Sequence, residues 1–203
     1  DSVKSRGLGD VYKRQAVYAN CKSYRQHEKW EKISNQRMYS VSGLVHYKNG
    51  FLIVHDNKKE NQPRISFFKN NKISPLIWPD SSLPYDLEAI SIIPSFKNQY
   101  ILMESTGKCY KIKIEQRNNQ ITLINIFQLE TNEGMNLEGC IIIKGNFGYK
   151  IMYGDRGSDL RKSTLFVGDF NPINNNITNL VKHIIDLPAP SEHKRNIADL
   201  GID

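Results

Sequence analysis

The chain has only three cysteines in 203 residues, Cys21, Cys109 and Cys140, and no C-x-x-C pair. That usage suggests neither a disulfide framework nor a zinc cluster. Long apolar runs are also missing. The densest stretches, 51–54 and 140–143, are strand-sized and fall far short of the roughly 18 apolar residues that a membrane helix needs. The thirteen glycines never follow the G-x-G-x-x-G order of a phosphate cradle, and no G-x-S-x-G elbow presents a serine nucleophile. Histidines are few, and none has a companion at zinc-ligand spacing. The net charge of +7 is spread over isolated lysines among abundant Asn and Ile. It forms no basic stripe interleaved with aromatics, so a nucleic-acid partner is not expected.

The first fifteen residues have no apolar period, and 10–15 resemble the translation of a sequencing adapter, so 1–15 are set aside from the fold. Residues 16–40 read as a leader remnant or a linker. Ala16-Val-Tyr-Ala19 carries small or branched residues at the −3 and −1 positions of a signal-peptidase cut, which points to a secreted or periplasmic protein, although a chance run of small or aromatic residues gives the same string.

From residue 41 onward, short runs of Ile, Val, Phe and Tyr alternate with Asn, Gly, Lys and Pro, which is the pattern of an all-β chain. Strands are expected at 41–47, 51–55, 64–68 and 73–78, then at 87–93, 100–104, 108–114 and 121–129, then at 137–144, 149–153, 164–170 and 180–187. Ser42-Gly-Leu-Val, Glu88-Ala-Ile-Ser, Glu138-Gly-Cys-Ile and Asp199-Leu-Gly-Ile recur at a period of roughly 50 residues. Each copy that continues does so into a second strand closed by an acid: Asp56, Glu104 and Asp155. Four strands per period is the arithmetic of a β-propeller blade. The expectation is a propeller fragment of about three blades with the start of a fourth, lacking C-terminal blades and left as an open stack. The full-length protein would be a monomer.

First strands line the axis of a propeller, so Glu88, Glu138 and Asp199 would share one ring, with Ser42 as the counterpart in the first blade. Asp56, Glu104 and Asp155 would lie further out. Converging carboxylates raise one another's pKa unless a cation neutralises them, and Ca2+, with six to eight oxygen ligands, suits such a ring. The alternative is that a water-filled tunnel tolerates the acids, or that each caps backbone N–H groups of the next blade. Arg156, Arg161, Lys162 and Lys194 are positioned as loop charges near the same face. His55 and Asp56 are adjacent on a strand and face opposite sides, so they form no dyad. Asn176-Ile-Thr178 matches a glycosylation acceptor in an Asn-rich loop.

Ser42-Gly-Leu, Val54-His-Asp56-Asn57, Asp86-Leu-Glu88-Ala-Ile, Met103-Glu104-Ser105, Asn136-Leu-Glu138-Gly and Ile197-Ala-Asp199-Leu-Gly together resemble the phytase-like propeller family and the related SdiA-regulated propellers. The resemblance covers about 41–203. It implies an exported propeller with calcium at acids such as Glu88, Glu138 and Asp199, and hydrolysis of a phosphoester or other ester by metal-activated water. Asp155 departs from it, since the family more often has Glu there. Two other readings stand beside it. One is a non-catalytic propeller that binds a protein or surface ligand on its loop face. The other is a lactonase-like six-bladed propeller.

Overall fold

The computed structural model describes residues 32–79, 82–158 and 160–185, together with Ile197 and Leu200. The adapter-like segment, the expected leader at 16–19, Cys21, Lys194 and Asp199 lie outside the described residues. The fold is that of the unit Ile33–Asp203. A 3-10 turn at Arg37–Tyr39 precedes four strands, β1 (Gly43–Tyr47), β2 (Gly50–Val54), β3 (Ile65–Lys69) and β4 (Lys72–Pro75). Four more follow as β5 (Leu87–Ile92), β6 (Gln99–Glu104), β7 (Lys108–Ile114) and β8 (Ile121–Gln128). The third set is β9 (Leu137–Gly145), β10 (Gly148–Asp155), β11 (Ser163–Asn171) and β12 (Asn176–Ile185).

Each set is one antiparallel meander with its strands in chain order, and the first strands β1, β5 and β9 lie beside one another. This is the blade architecture of a β-propeller, with three blades among the described residues. Strand alternation makes it necessary. In the middle blade, Tyr100 and Ile112 face the first blade while Ile101, Met103 and Cys109 face the third, and all five are buried. Both faces of that sheet are apolar, so it is stable only between two others.

Packing between blades is aromatic as well as aliphatic. Trp78 sits edge-on to Tyr110 with ring centroids 5.4 Å apart, and within the third blade the cross-strand pair Tyr153 and Phe166 stacks at 4.7 Å. To reach Tyr110 the chain leaves the sheet after Pro75, so the strand expected at 73–78 ends early. The Asn-rich stretch expected as a loop instead begins β12. Asn176 pairs with Asn171 and Ile177 with Phe170, and Ile177 and Leu180 cover Gly168 across a register shift. Asparagine also closes the β3–β4 hairpin, where Asn70 and Asn71 take positive φ of 50° and 56°. Short polar side chains tolerate that left-handed pair.

The inner strands approach closely. A Cβ on Gly43 would lie 3.1 Å from both Ala89 Cα and Ile90 N of the next blade. The repeat therefore puts Gly, Ala and Gly at 43, 89 and 139, directly after Ser42, Glu88 and Glu138. Gly43→Val forces backbone apart at this seam and should lower unfolding free energy by about 1–3 kcal/mol. Urea denaturation of the two chains measures the difference.

Candidate functional site at the head of the inner strands

Glu88 and Glu138 occupy equivalent places for a definite structural reason. The β5–β6 ladder pairs Leu87 with Glu104 and Ala89 with Met103, and the β9–β10 ladder pairs Leu137 with Asp155 and Gly139 with Gly154. In both, the glutamate is the extra residue of a β-bulge, a device that re-aims a side chain out of the pleat. Ser42, the first-blade counterpart, donates its hydroxyl to Leu87 O at 2.5 Å and so ties blade one to blade two.

A cleft of about 480 Å³ opens at this end, lined among others by Arg37, Asp56, Lys58, Asp86, Glu88 and Arg156. Two of its acids, Asp56 and Asp86, and the neighbouring Glu138 have cations of their own. Arg37 grips Asp56 through both carboxylate oxygens at 2.8 and 2.5 Å, and this holds the Asp56 carboxyl below the usual range. Lys58 meets Asp86 at 3.0 Å, and the Lys58 ammonium is pushed up by that hydrogen bond. Arg156 donates to Glu138 at 2.7 Å, and Asn136 donates to the same oxygen. Burial outweighs that pairing and moves the Glu138 carboxyl up.

Glu88 has no hydrogen-bond or ion-pair partner among the described residues. Burial, and then the negative charges of Glu138, Asp86 and Asp56, push its pKa up to about 8. Below this charged head the inner strands enclose an apolar groove of about 690 Å³ lined by Leu44, Ile90, Ile92 and Ile142. The acids thus gather at the mouth, and the wall beneath them is not a ring of carboxylates.

The acids that close the second strands do different work. Glu104 Oε1 accepts the Tyr85 backbone N–H at 2.7 Å and the Tyr110 hydroxyl at 2.5 Å. Asp155 Oδ1 accepts the Asn136 N–H at 3.0 Å, and its carboxylate forms a buried ion pair with Arg161. Each braces the loop entering the inner strand of its own blade, two residues before β5 and one before β9. Asp56 does the same for the first blade through Arg37 and Ser40. Caps on the next blade were one alternative read from the sequence, and the structure places these carboxylates on backbone N–H groups of the same blade for Glu104 and Asp155.

Arg156 and Arg161 are carboxylate partners here and are not loose loop charges. Buried His55 bridges Ser40 O and Ser66 Oγ at 2.8 Å each, and burial lowers its pKa. Its partners are not Asp56, as the strand period requires. Cys109 and Cys140 are free and buried. Sequence reasoning missed Arg37, Lys58 and Asp86 as members of the cleft. Asp86 was visible two residues before Glu88, whereas Arg37 sits in a stretch without any strand period.

No family model matches the chain, and no curated protein matches it. A similar solved structure is the Pan2 WD40 domain of Neurospora crassa, 12% identical with a TM-score of 0.44. The match covers 70% of this chain and 35% of that one, so the chain spans about a third of that structure's length.

Because Glu88 is protonated more readily in the folded chain than in the unfolded one, the folded state holds the extra proton between pH 4.5 and about 8. Stability contributed at this site is full below pH 4.5 and is lost as pH rises towards 8. Glu88→Gln should therefore be near neutral at pH 5 and stabilising at pH 8.5 by about 1–2 kcal/mol once solvent screening is allowed for. Melting curves of both proteins at the two pH values measure it. Arg161→Ala leaves Asp155 buried without its cation and should cost about 3 kcal/mol at neutral pH, read by the same melts.

Proposed function

We propose that the chain is a non-catalytic propeller domain that binds a partner protein at the head of its inner strands, with Glu88 receiving a lysine or arginine side chain of that partner. The observation that carries the reading is the charge balance of the cleft. Asp56, Asp86 and Glu138 each hold a cation, and Glu88 is the half-buried acid that holds none among the described residues. An arriving ammonium or guanidinium supplies the opposite charge that favours the ionised carboxylate. Binding is then coupled to release of the Glu88 proton.

The hydrolytic reading implied by the phytase-like resemblance, with calcium and metal-activated water acting on an ester or phosphoester, has less in its favour. Three of its acids, Asp56, Glu104 and Asp155, are engaged by Arg37, by Tyr110 and the Tyr85 N–H, and by Arg161. Those carboxylates do not fit a calcium site while they brace their loops. Among the described residues no group of three or more His, Cys, Asp or Glu is arranged to hold a metal ion. Arg156 and Arg161, the cations suited to ester oxygens, are bonded to Glu138 and Asp155. Export is a separate proposal resting on residues 16–19, tested by N-terminal sequencing of the protein secreted from its host.

Calorimetric titration with an Arg- and Lys-containing peptide at pH 7, in two buffers of different ionisation heat, tests the binding reading. Binding with release of close to one proton, lost in Glu88→Gln, is the expected result. Peptide binding that is indifferent to Glu88, or calcium-dependent turnover of p-nitrophenyl phosphate or p-nitrophenyl acetate, overturns it.

A further inference from the structure

The hairpin turns opposite the cleft form a surface of a different kind. Every inner strand runs away from the charged head, so the β1–β2 and β3–β4 turns and their equivalents in the other two blades lie at the far end. These turns touch from blade to blade. Lys48 Nζ donates to Gln116 O at 2.6 Å and to Asn119 Oδ1 at 2.8 Å, which joins the first turn of blade one to the outer turn of blade two. Lys144 Nζ donates to Ser95 Oγ at 3.1 Å, and Phe96 lies edge-on to Tyr149 with centroids 6.0 Å apart, which joins blades two and three.

Cations that stand isolated along the sequence gather here. Lys48, Lys69, Lys72, Lys97, Arg117 and Lys144 sit in or beside the far-end turns. None of them forms an ion pair among the described residues, and the partners of Lys48 and Lys144 are neutral. The described acids at this end are Glu115 and Asp169, which Lys113 at 2.8 Å and Lys150 at 2.7 Å already neutralise. Turn chemistry keeps the same sign. Asn70, Asn71, Asn98, Asn119 and Asn175 take positive φ of 50–60° in these turns, where aspartate would also be tolerated. At the head, a left-handed position with φ 60° is filled by Asp86.

Two turns of the third blade also hold large apolar side chains out in water. Phe147, at the tip of the β9–β10 hairpin between Gly145 and Gly148, is 104% exposed, and Ile173 in the β11–β12 turn is 81% exposed. Neither belongs to a hydrophobic core, and Lys144 and Lys150 flank the Phe147 tip. An apolar residue at such a tip gains nothing from folding, but it gains on entering an apolar layer.

We propose that this far end seats on an anionic bilayer surface, with Phe147 and Ile173 entering the interface and the surrounding cations lying over anionic headgroups. A bilayer is the occupant because its chemistry is layered in the same order, negative charge outside and hydrocarbon beneath, and because the cations are spread over the turns of all three blades. A nucleic acid would need open aromatic faces on which bases stack. Here the rings of Tyr47, Phe96 and Tyr149 already carry Lys48, Lys111 and Lys144 over them. The site lies at the opposite end from Glu88 and stands whether or not the cleft binds a protein.

Co-sedimentation of the whole chain with lipid vesicles tests the proposal. Vesicles of phosphatidylcholine with about 30% phosphatidylserine should pellet the chain, and pure phosphatidylcholine vesicles should leave it in solution. Lys72→Gln combined with Lys97→Gln should weaken partitioning about 25-fold, at about fivefold per charge. Lys108→Gln combined with Lys182→Gln removes the same charge at the head end and should change nothing. Phe147→Ser should weaken binding about tenfold. Phe147→Trp places a fluorophore at the tip, and its emission should move to shorter wavelength on the anionic vesicles. Lys72, Lys97 and Phe147 are exposed, so these variants should keep the far-ultraviolet circular dichroism spectrum of the parent chain. Absence of binding, equal binding to both lipid compositions, or equal losses in the two lysine pairs overturns the proposal. So does an unshifted Phe147→Trp emission on bound vesicles. Binding of a labelled oligonucleotide without binding of vesicles also overturns it and assigns the face to nucleic acid.

Discussion

A sheet with two apolar faces cannot be satisfied by one neighbour, and that constraint organises this chain. The middle blade places Tyr100 and Ile112 on one side and Ile101, Met103 and Cys109 on the other, so folding it commits the polypeptide to a sheet on each flank. The short turns and the small residues of the inner strands follow from the same demand, because blades can meet along their first strands only where backbone approaches backbone. Lys111 tests the constraint. It occupies a buried position in the middle blade, with Nζ donating to Pro172 O at 2.5 Å and lying 5.4 Å from the centroid of the Phe96 ring. Burial lowers its pKa, and its bond to Pro172 O ties a charged member of that face to the following blade.

The carboxylates divide into two populations by the same geometry. Glu104 and Asp155, closing second strands, are buried where a loop enters the blade, and a backbone N–H, a tyrosine hydroxyl or an arginine offsets the cost of their desolvation, whereas Asp56 is half-buried at the cleft. Those at the start of the inner strands are half-buried around a cleft, where charge is balanced for every acid except Glu88. Acids of the first population are architectural and those of the second are available to a ligand. That separation is why the binding reading is favoured over one that asks all six acids to act together.

The blade repeat was legible in the sequence because the inner-strand motif is short, regular and constrained by packing. Ser or Glu, then Gly or Ala, then an apolar residue reappears wherever two first strands touch. What Asp56, Glu104 and Asp155 do was not legible. Tyr85 and Asn136 contribute backbone N–H groups, which any residue at those positions carries, and Arg37 lies in a segment with no strand alternation. The stretch around Asn176 misled for a related reason. Asparagine disfavours strands in general, but here Ile177 and Leu180 cover Gly168, and the packing they gain overrides that preference.

The bulges holding Glu88 and Glu138 have one more consequence. A residue inserted outside the regular alternation belongs to neither blade face, so its side chain is released from the volume rules that govern every neighbour along the strand. Ser42 stands in the same motif position with a hydroxyl in place of a carboxylate, and its blade keeps its pairing. Recognition chemistry at the mouth can therefore be rewritten one blade at a time while the scaffold beneath stays the same.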